Sequence, residues 1–483
     1  MHLPVLGTGI VYVPGLEPLL QPGNDSITVL EVEPQTLWHF DRSMSVPYVF
    51  PDNALQVLRS LPQRKIIHSV GVAVGGTQRA SAPFCAALKH SIHSLDAAWA
   101  SEHLSFTHVK GKSEVFHTGF MLPSLQTREG AQTAATTIRD LAQHVPVPFA
   151  VETGVNYLAP RPGELSDGEF IAQAVEHADC GILLDLHNIW TNERNGRQSV
   201  REYLATIPLE RVWEIHLGGG FEFEGYWLDA HSGAVPDQVL TLLEECIPRC
   251  VNLKAVVYEI FPSFIPLFGL DAVQKQMEVI KTIWEHTQRP NSSPQEDVVQ
   301  HSPQRVQGDS PNIAHLTPDL WEHTLGELVT HGETSGPLAE ELKHDRGVDL
   351  TRRLIWKFRA SSVVKALPTL TKLIIAHAGP DCLEELLDAY IGSSKPQPFA
   401  SEEAQGFIRY LSDLKPPIPY LEDILSYELS SMRALIEQTP QYLIFPYNPV
   451  ELFQALIKGY LPQNLPGGNY ELEIPVEYSI EAG

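Results

Sequence analysis

Eight short apolar runs recur before residue 262, and amphipathic stretches separate them. The runs are GIVYVP (9–14), ITVLEVEP (27–34), KIIHSVGV (65–72), WASEHLSF (99–106), FAVETG (149–154), GILLDLHN (181–188), VWEIHLGG (212–219) and AVVYEI (255–260). Each is six to eight residues long, and most carry β-branched side chains, as buried parallel strands do. The intervening segments 128–145, 167–178 and 236–250 carry helical periodicity, and 273–288 supplies a closing helix. Strand and helix in alternation over this length predict an α/β fold, a (β/α)8 TIM barrel spanning residues 1–288.

The pattern then changes twice. Residues 289–318 are rich in Pro, Ser and Gln with almost no large apolar side chain, which predicts a flexible linker. Residues 319–440 read as a mostly α-helical domain, and 441–483 as a small terminal α+β module.

Many of the apolar runs end on, or are followed closely by, side chains that can bind metal. His68 closes KIIH, Glu102 and His103 close WASEH, Glu152 closes FAVE, and Asp185 closes GILLD. His216 closes VWEIH, Asp229 and His231 lie in LDAH, and Glu259 closes AVVYE. The C-terminal mouth of a parallel barrel is where such residues converge. Carboxylates crowded there cannot all ionise without cations. Imidazole and carboxylate without thiolate suit iron, manganese or zinc. So many donors exceed one four-coordinate site and point to a multinuclear centre. Asn188 and Asn195 are candidate neutral partners, whereas His187 is expected to point away from Asp185. Gly218, Gly219 and Gly220 are read as giving a substrate access, and His93, His108 and His117 as surface histidines.

The formal charge of -25 argues against nucleic acid or an anionic membrane as partner. Mean hydropathy of -0.10 is that of an ordinary soluble protein. The five cysteines are scattered, as expected of a reducing cytoplasm; Cys246 and Cys250 are read as packing residues. Neither a signal peptide nor a membrane span is evident.

Seven segments, HSVGVAVGG, SEHLSF, VETGVNYL, CGILLDLHNIW, EIHLGGG, LDAHSGAVPD and YEIF, resemble in order the signatures of the multinuclear non-haem iron-dependent oxidative enzymes. That family includes the methanobactin-type oxazolone–thioamide synthases. The resemblance covers roughly residues 8–287. It implies a TIM barrel with two or three irons, mixed Fe(II) and Fe(III), and O2 as co-substrate. The substrate implied is a ribosomally made precursor peptide, oxidised at one residue, often Cys. The ligands it implies are His68, His103, Glu152, Asp185, His216, Asp229, His231 and Glu259, with Asn188 as a further oxygen donor. Two positions depart from the family pattern: Thr153 and His187 stand where Asn is usual, which bears on the number of irons.

LIWKFRASSVVKALPTLTKLI and the segments after it are similar to the separate partner proteins of such enzymes, which grip the leader of the peptide. Fusion of that partner would make a separate one unnecessary. A zinc- or manganese-dependent hydrolase or isomerase acting on a phosphoester or sugar is the alternative on the same barrel type, and a non-catalytic metal scaffold is a third reading.

Overall fold

The computed structural model describes residues 3–41, 44–111, 114–287, 316–331 and 334–476. Eight parallel strands close into a barrel: β1 (Gly7–Val11), β2 (Val29–Val32), β3 (Arg64–Ser69), β4 (Ala100–His103), β5 (Phe149–Glu152), β6 (Gly181–Asp185), β7 (Val212–Gly218) and β8 (Ala255–Glu259). Each pairs with its chain neighbours, and β1 closes the ring on β8 through Gly7↔Ala255 to Ile10↔Tyr258. All eight expected runs are barrel strands.

The helices around the barrel are α1 (Asp52–Ser60), α2 (Ala82–Leu95), α3 (Arg128–Ala142), α4 (Asp167–Ala178), α5 (Leu186–Arg194), α6 (Val200–Thr206), α7 (Asp237–Cys246) and α8 (Leu270–Thr287). Their starts are encoded locally. The Thr127 side chain accepts from Gly130 N to begin α3, and Ser166 and Glu169 form a reciprocal capping box on α4.

Strand alternation sorts the barrel residues into two sets. Ile10, Leu30, Ile67, Val151, Ile182, Ile215 and Val256 point outward into the core shared with the helices. Val11, Val29, Ile66, Trp99, Ala255 and Val257 belong to a separate cluster inside the barrel. Two residues above Ile66 is His68, and two above Val257 is Glu259. The interior is therefore apolar at its base and turns polar at the C-terminal mouth.

The remaining chain is mostly helical: α9 (Pro318–Thr330), α10 (Pro337–Leu342), α11 (Arg346–Ala366), α12 (Pro368–Ala378), α13 (Pro380–Ser393), α14 (Ala400–Leu414), α15 (Leu421–Glu437) and α16 (Pro449–Ile457). Two antiparallel strands, β9 (Gln441–Tyr447) and β10 (Gly467–Ile474), pair from Gln441↔Ile474 to Tyr447↔Gly467. Helices α11 to α16 and this hairpin share one core, including Val363, Leu370, Phe407, Phe445 and Leu452. The expected linker lies almost wholly outside the described residues; its end is described, with Leu316 buried and Thr317 capping α9. No helix among the described residues is long and apolar enough to cross a membrane.

A further core was not legible in the linear pattern. A hairpin inserted after β4 (Phe106–Lys110 and Val115–Leu122) gives Phe106, Val109, Phe116 and Leu122 to a cluster completed by Trp321, Leu325, Leu328, Leu342 and Ile355. Trp321 Nε1 donates to Pro123 O at 2.8 Å, and the buried Glu322 accepts from Thr77 N at 2.8 Å and Thr77 Oγ1 at 2.6 Å. Helix α9 is thus built into the barrel's own loops.

Candidate metal centre

Alternation explains which strand-end residues meet. In β4, Trp99, Ser101 and His103 share the inward parity, so Glu102 faces outward. Its Oε2 accepts from Ser69 Oγ at 2.7 Å and its Oε1 from His103 N at 2.9 Å. It lies in none of the potential ion-binding groups. The other eight ligand candidates and Asn188 surround the mouth.

At one side, His68 Nε2 and His103 Nε2 lie 3.1 and 3.2 Å from Glu152 Oε2 and 3.4 Å from each other. Two donors about 2.1 Å from a shared ion stand roughly 3.0–3.4 Å apart at ordinary coordination angles. At the centre, His216 Nδ1 is 3.2 Å from Glu259 Oε1 and 3.9 Å from Glu152 Oε1, with Asp185 alongside. At the far side, His231 Nε2 is 3.1 Å from Glu259 Oε2 and 3.0 Å from Asp229 Oδ1. His231 takes φ +45°, in the left-handed region, to reach this position.

Four overlapping groups could each hold an ion: His68/His103/Glu152, Glu152/Asp185/His216, Asp185/His231/Glu259 and Glu31/His216/Glu259. Glu152 presents one oxygen to each of two neighbouring groups, and Glu259 does the same. Asp185 Oδ2, Asn188 Oδ1, His216 Nδ1 and His231 Nε2 are buried without a hydrogen bond of acceptable geometry. Donor atoms this close that do not aim at one another are what convergence on shared ions requires. The residues fit metal.

The electrostatics agree. Burial pushes the Asp185 carboxyl up to about 8, helped by Glu152, Asp229 and Glu259, and the Glu152 carboxyl up to about 6. Burial opposes charge on His216 and His231, but the facing carboxylates outweigh it and raise both imidazoles well above their usual range. Burial beside His103 and His216 drives His68 down to about 3. Divalent ions relieve such a conflict by replacing protons on both residue types.

Several partners escaped the sequence reading. Ser101 Oγ lies 2.8 Å from His68 Nδ1, which directs Nε2 to the cluster. His187 is the clearest correction. The strand ends at Asp185, whose Oδ1 accepts from Asn188 N and starts α5, so strand parity does not apply to residue 187. Trp227 Nε1 donates to His187 Nε2 at 3.1 Å, and His187 Nδ1 donates to Asp229 Oδ1 at 3.0 Å. Thr153, the other departure, bonds the Tyr203 hydroxyl at 2.9 Å. Glu31 and Glu214 reach His216 from inside the barrel, and Glu33 lines the mouth. Polar residues two apart within strand runs, Glu31 and Glu33 in LEVEP and Glu214 and His216 in WEIH, were the available signal.

Other expectations also change. A Cβ on Gly218 would sit 2.9 Å from the His231 ring, and one on Gly220 2.1 Å from Leu228 O. These glycines permit close packing rather than substrate access. Asn195 holds the Trp227 backbone through two hydrogen bonds. His108 and His117 are half-buried and face each other across the inserted hairpin at 5.0 Å between ring centroids. Cys246 and Cys250 pack in the core, as expected.

Residues 47–277 match the family model described as RiPP precursor modification enzyme MbnB/TglH/ChrH. A UPF0276 protein of Chromobacterium violaceum is 32% identical over 214 residues, 44% of this chain and 76% of the relative. The chain belongs to the MbnB/TglH/ChrH family. Another relative, a UPF0276 protein of Streptomyces avermitilis, is 29% identical over 253 residues; the match spans 51% of this chain and about half, 49%, of that protein. The family match lies within the barrel part of the chain and does not extend over α9 to β10. Among solved structures, D-allulose 3-epimerase from Methylomonas sp. in complex with D-allulose aligns at 12% identity, TM-score 0.39, over 59% of this chain and 99% of that one. The IOLI protein with a binding zinc atom aligns at 12% identity, TM-score 0.37, over 58% and 99%.

Proposed function

We propose that this chain is an O2-dependent, multinuclear iron enzyme that oxidises a residue, Cys in the first instance, of a ribosomally made precursor peptide. The observation that carries the proposal is the shared-ligand arrangement, in which Glu152 and Glu259 each offer oxygens to two adjacent donor groups. The group His68/His103/Glu152 has the two-histidine, one-carboxylate composition associated with ferrous oxygenase sites that keep positions open. Bound iron would supply the one-electron chemistry with O2 that protein side chains lack.

The chain's own residues do the rest. Ser101 and Glu31 orient the rings of His68 and His216, and His187 holds Asp229. A cavity of about 1310 Å³ opens over the cluster, larger than the roughly 300–1,000 Å³ of ordinary small-molecule pockets. Its walls include Phe120, Tyr157 and Phe261 from the barrel and Phe358, Phe399 and Met432 from the helical region. Such walls exclude water around an extended peptide. Lys365 is the only lysine or arginine among the described residues lining it, which fits a phosphoester poorly.

The helical region and β9–β10 are proposed to capture the leader of the peptide. Tyr442 and Ile444 project from β9, 60% and 67% exposed, on a two-stranded sheet able to accept another strand. The test is O2 consumption by anaerobically iron-loaded protein, given the precursor encoded beside it. Turnover should need iron, O2 and peptide together and stop when the peptide's Cys is replaced by Ser. Full activity with zinc and without O2 would refute the proposal.

A further inference from the structure

One layer below the cluster, the barrel interior holds two carboxyl groups that both reach the ring of His216 from behind. Glu31 on β2 and Glu214 on β7 are both wholly buried, among Val11, Val29, Ile66, Trp99 and Val257. Both address one nitrogen: Glu31 Oε2 is 3.1 Å and Glu214 Oε1 3.6 Å from His216 Nε2. Trp99 Nε1 donates to Glu214 Oε2 at 2.8 Å, which anchors that side chain from beneath. Glu31 and Glu214 also meet each other, carboxyl to carboxyl, behind the ring. Apolar barrel floors do not keep two carboxyl groups on one imidazole without compensation.

The geometry across the ring supplies it. With Nε2–H directed at Glu31, the Nδ1 lone pair faces Glu152 Oε1 and Glu259 Oε1, where it has no hydrogen bond. Negative charge behind the ring makes that lone pair a stronger donor, and a cation in front of it offsets the charge. We propose that Glu31 and Glu214 are positioning residues that fix His216 for ligation through Nδ1 and set the affinity of the central ion position, between Glu152, Asp185 and Glu259. This rests on the metal-centre reading but not on iron or O2.

Co(II) is a suitable probe, because it accepts imidazole and carboxylate ligands and makes ring N–H protons visible as shifted NMR signals. In the Co(II)-loaded full chain, an exchangeable His216 Nε2–H signal should be present and slow to exchange with solvent. Glu31→Gln and Glu214→Gln keep the side-chain shape, and the amide oxygen introduced by Glu214→Gln can still accept from Trp99. Each should weaken binding of one Co(II) equivalent by about 10–100-fold and shift that signal, leaving the equivalent at His68/His103/Glu152 unchanged. Unaltered Co(II) affinity in folded variants would overturn the inference alone. Absence of the slow signal in the loaded wild-type chain would overturn it without recourse to any variant. A wild-type chain that bound no Co(II) would overturn the metal-centre reading as well.

Discussion

Glu152→Gln is the most discriminating single substitution in the proposed ligand set. The carboxylate places Oε2 3.1 and 3.2 Å from two imidazoles and Oε1 3.9 Å from a third, so it borders two ion positions at once. Glutamine preserves volume but removes the charge and turns one donor oxygen into an NH2 group. Removing one partner of a buried charge pair costs about 3–5 kcal/mol. At about 1.4 kcal/mol per decade, that is a loss of roughly two to three and a half decades in affinity, felt at both positions. Metal content after anaerobic loading and desalting should therefore fall by more than one equivalent. The fold should hold, because glutamine keeps the volume and burial already disfavours the charged form, pushing the carboxyl up to about 6. Circular dichroism and thermal melting of the ion-free protein check this. Unchanged metal content in both Glu152→Gln and Glu259→Gln would show that these carboxylates are not shared ligands.

Trp321→Ala removes a buried ring that donates to Pro123 O and stacks under Arg161; it should cost about 3–5 kcal/mol and make α9 sensitive to limited proteolysis. A chain cut near Gln288 should, by the same reasoning, expose Phe106, Val109 and Phe116 and aggregate more readily than the intact protein in light scattering. Ile444→Asp should raise KM for the full precursor by roughly tenfold or more, about 1.4 kcal/mol, with metal content unchanged; an unaltered KM would place leader capture elsewhere. Burial pushes the Glu322 and Glu428 carboxyls from the usual 4.5 up to about 7. The folded chain thus holds protons there that the unfolded chain has released. The resulting stabilisation is complete below about pH 4.5 and is lost as pH rises through about 7. Glu322→Gln and Glu428→Gln should accordingly raise Tm at about pH 8 more than at about pH 5.

The barrel was legible because most strands announce themselves twice, as an apolar run and as a polar residue near the mouth end. What the linear pattern blurred was the point where one element becomes the next. WASEHLSF reads as one strand, yet β4 stops at His103 and Phe106 opens the inserted hairpin. Glu102 and His103 looked equivalent as neighbours in sequence, while pleating sends one to each face. GILLDLHN hides a switch from strand to helix at Asp185, which is why His187 joins the site against expectation. Glu31 and Glu214 sit mid-run, where a charged residue on an inward parity is the only sign of a role. The shared core of α9 with the inserted hairpin depends on contacts about 200 residues apart, such as Trp321 to Pro123, and no local periodicity carries that information.

The central claim is a multinuclear iron site built from shared carboxylates, and counting metal tests it most directly. Protein prepared without oxygen, loaded with 57Fe(II) and desalted should carry about two to three irons per chain, a number the overlapping donor groups can accommodate. Mössbauer spectra should show more than one iron environment, and partial oxidation should produce the coupling of adjacent ions. Fewer than one iron per chain, or a single isolated environment at full loading, would contradict the account.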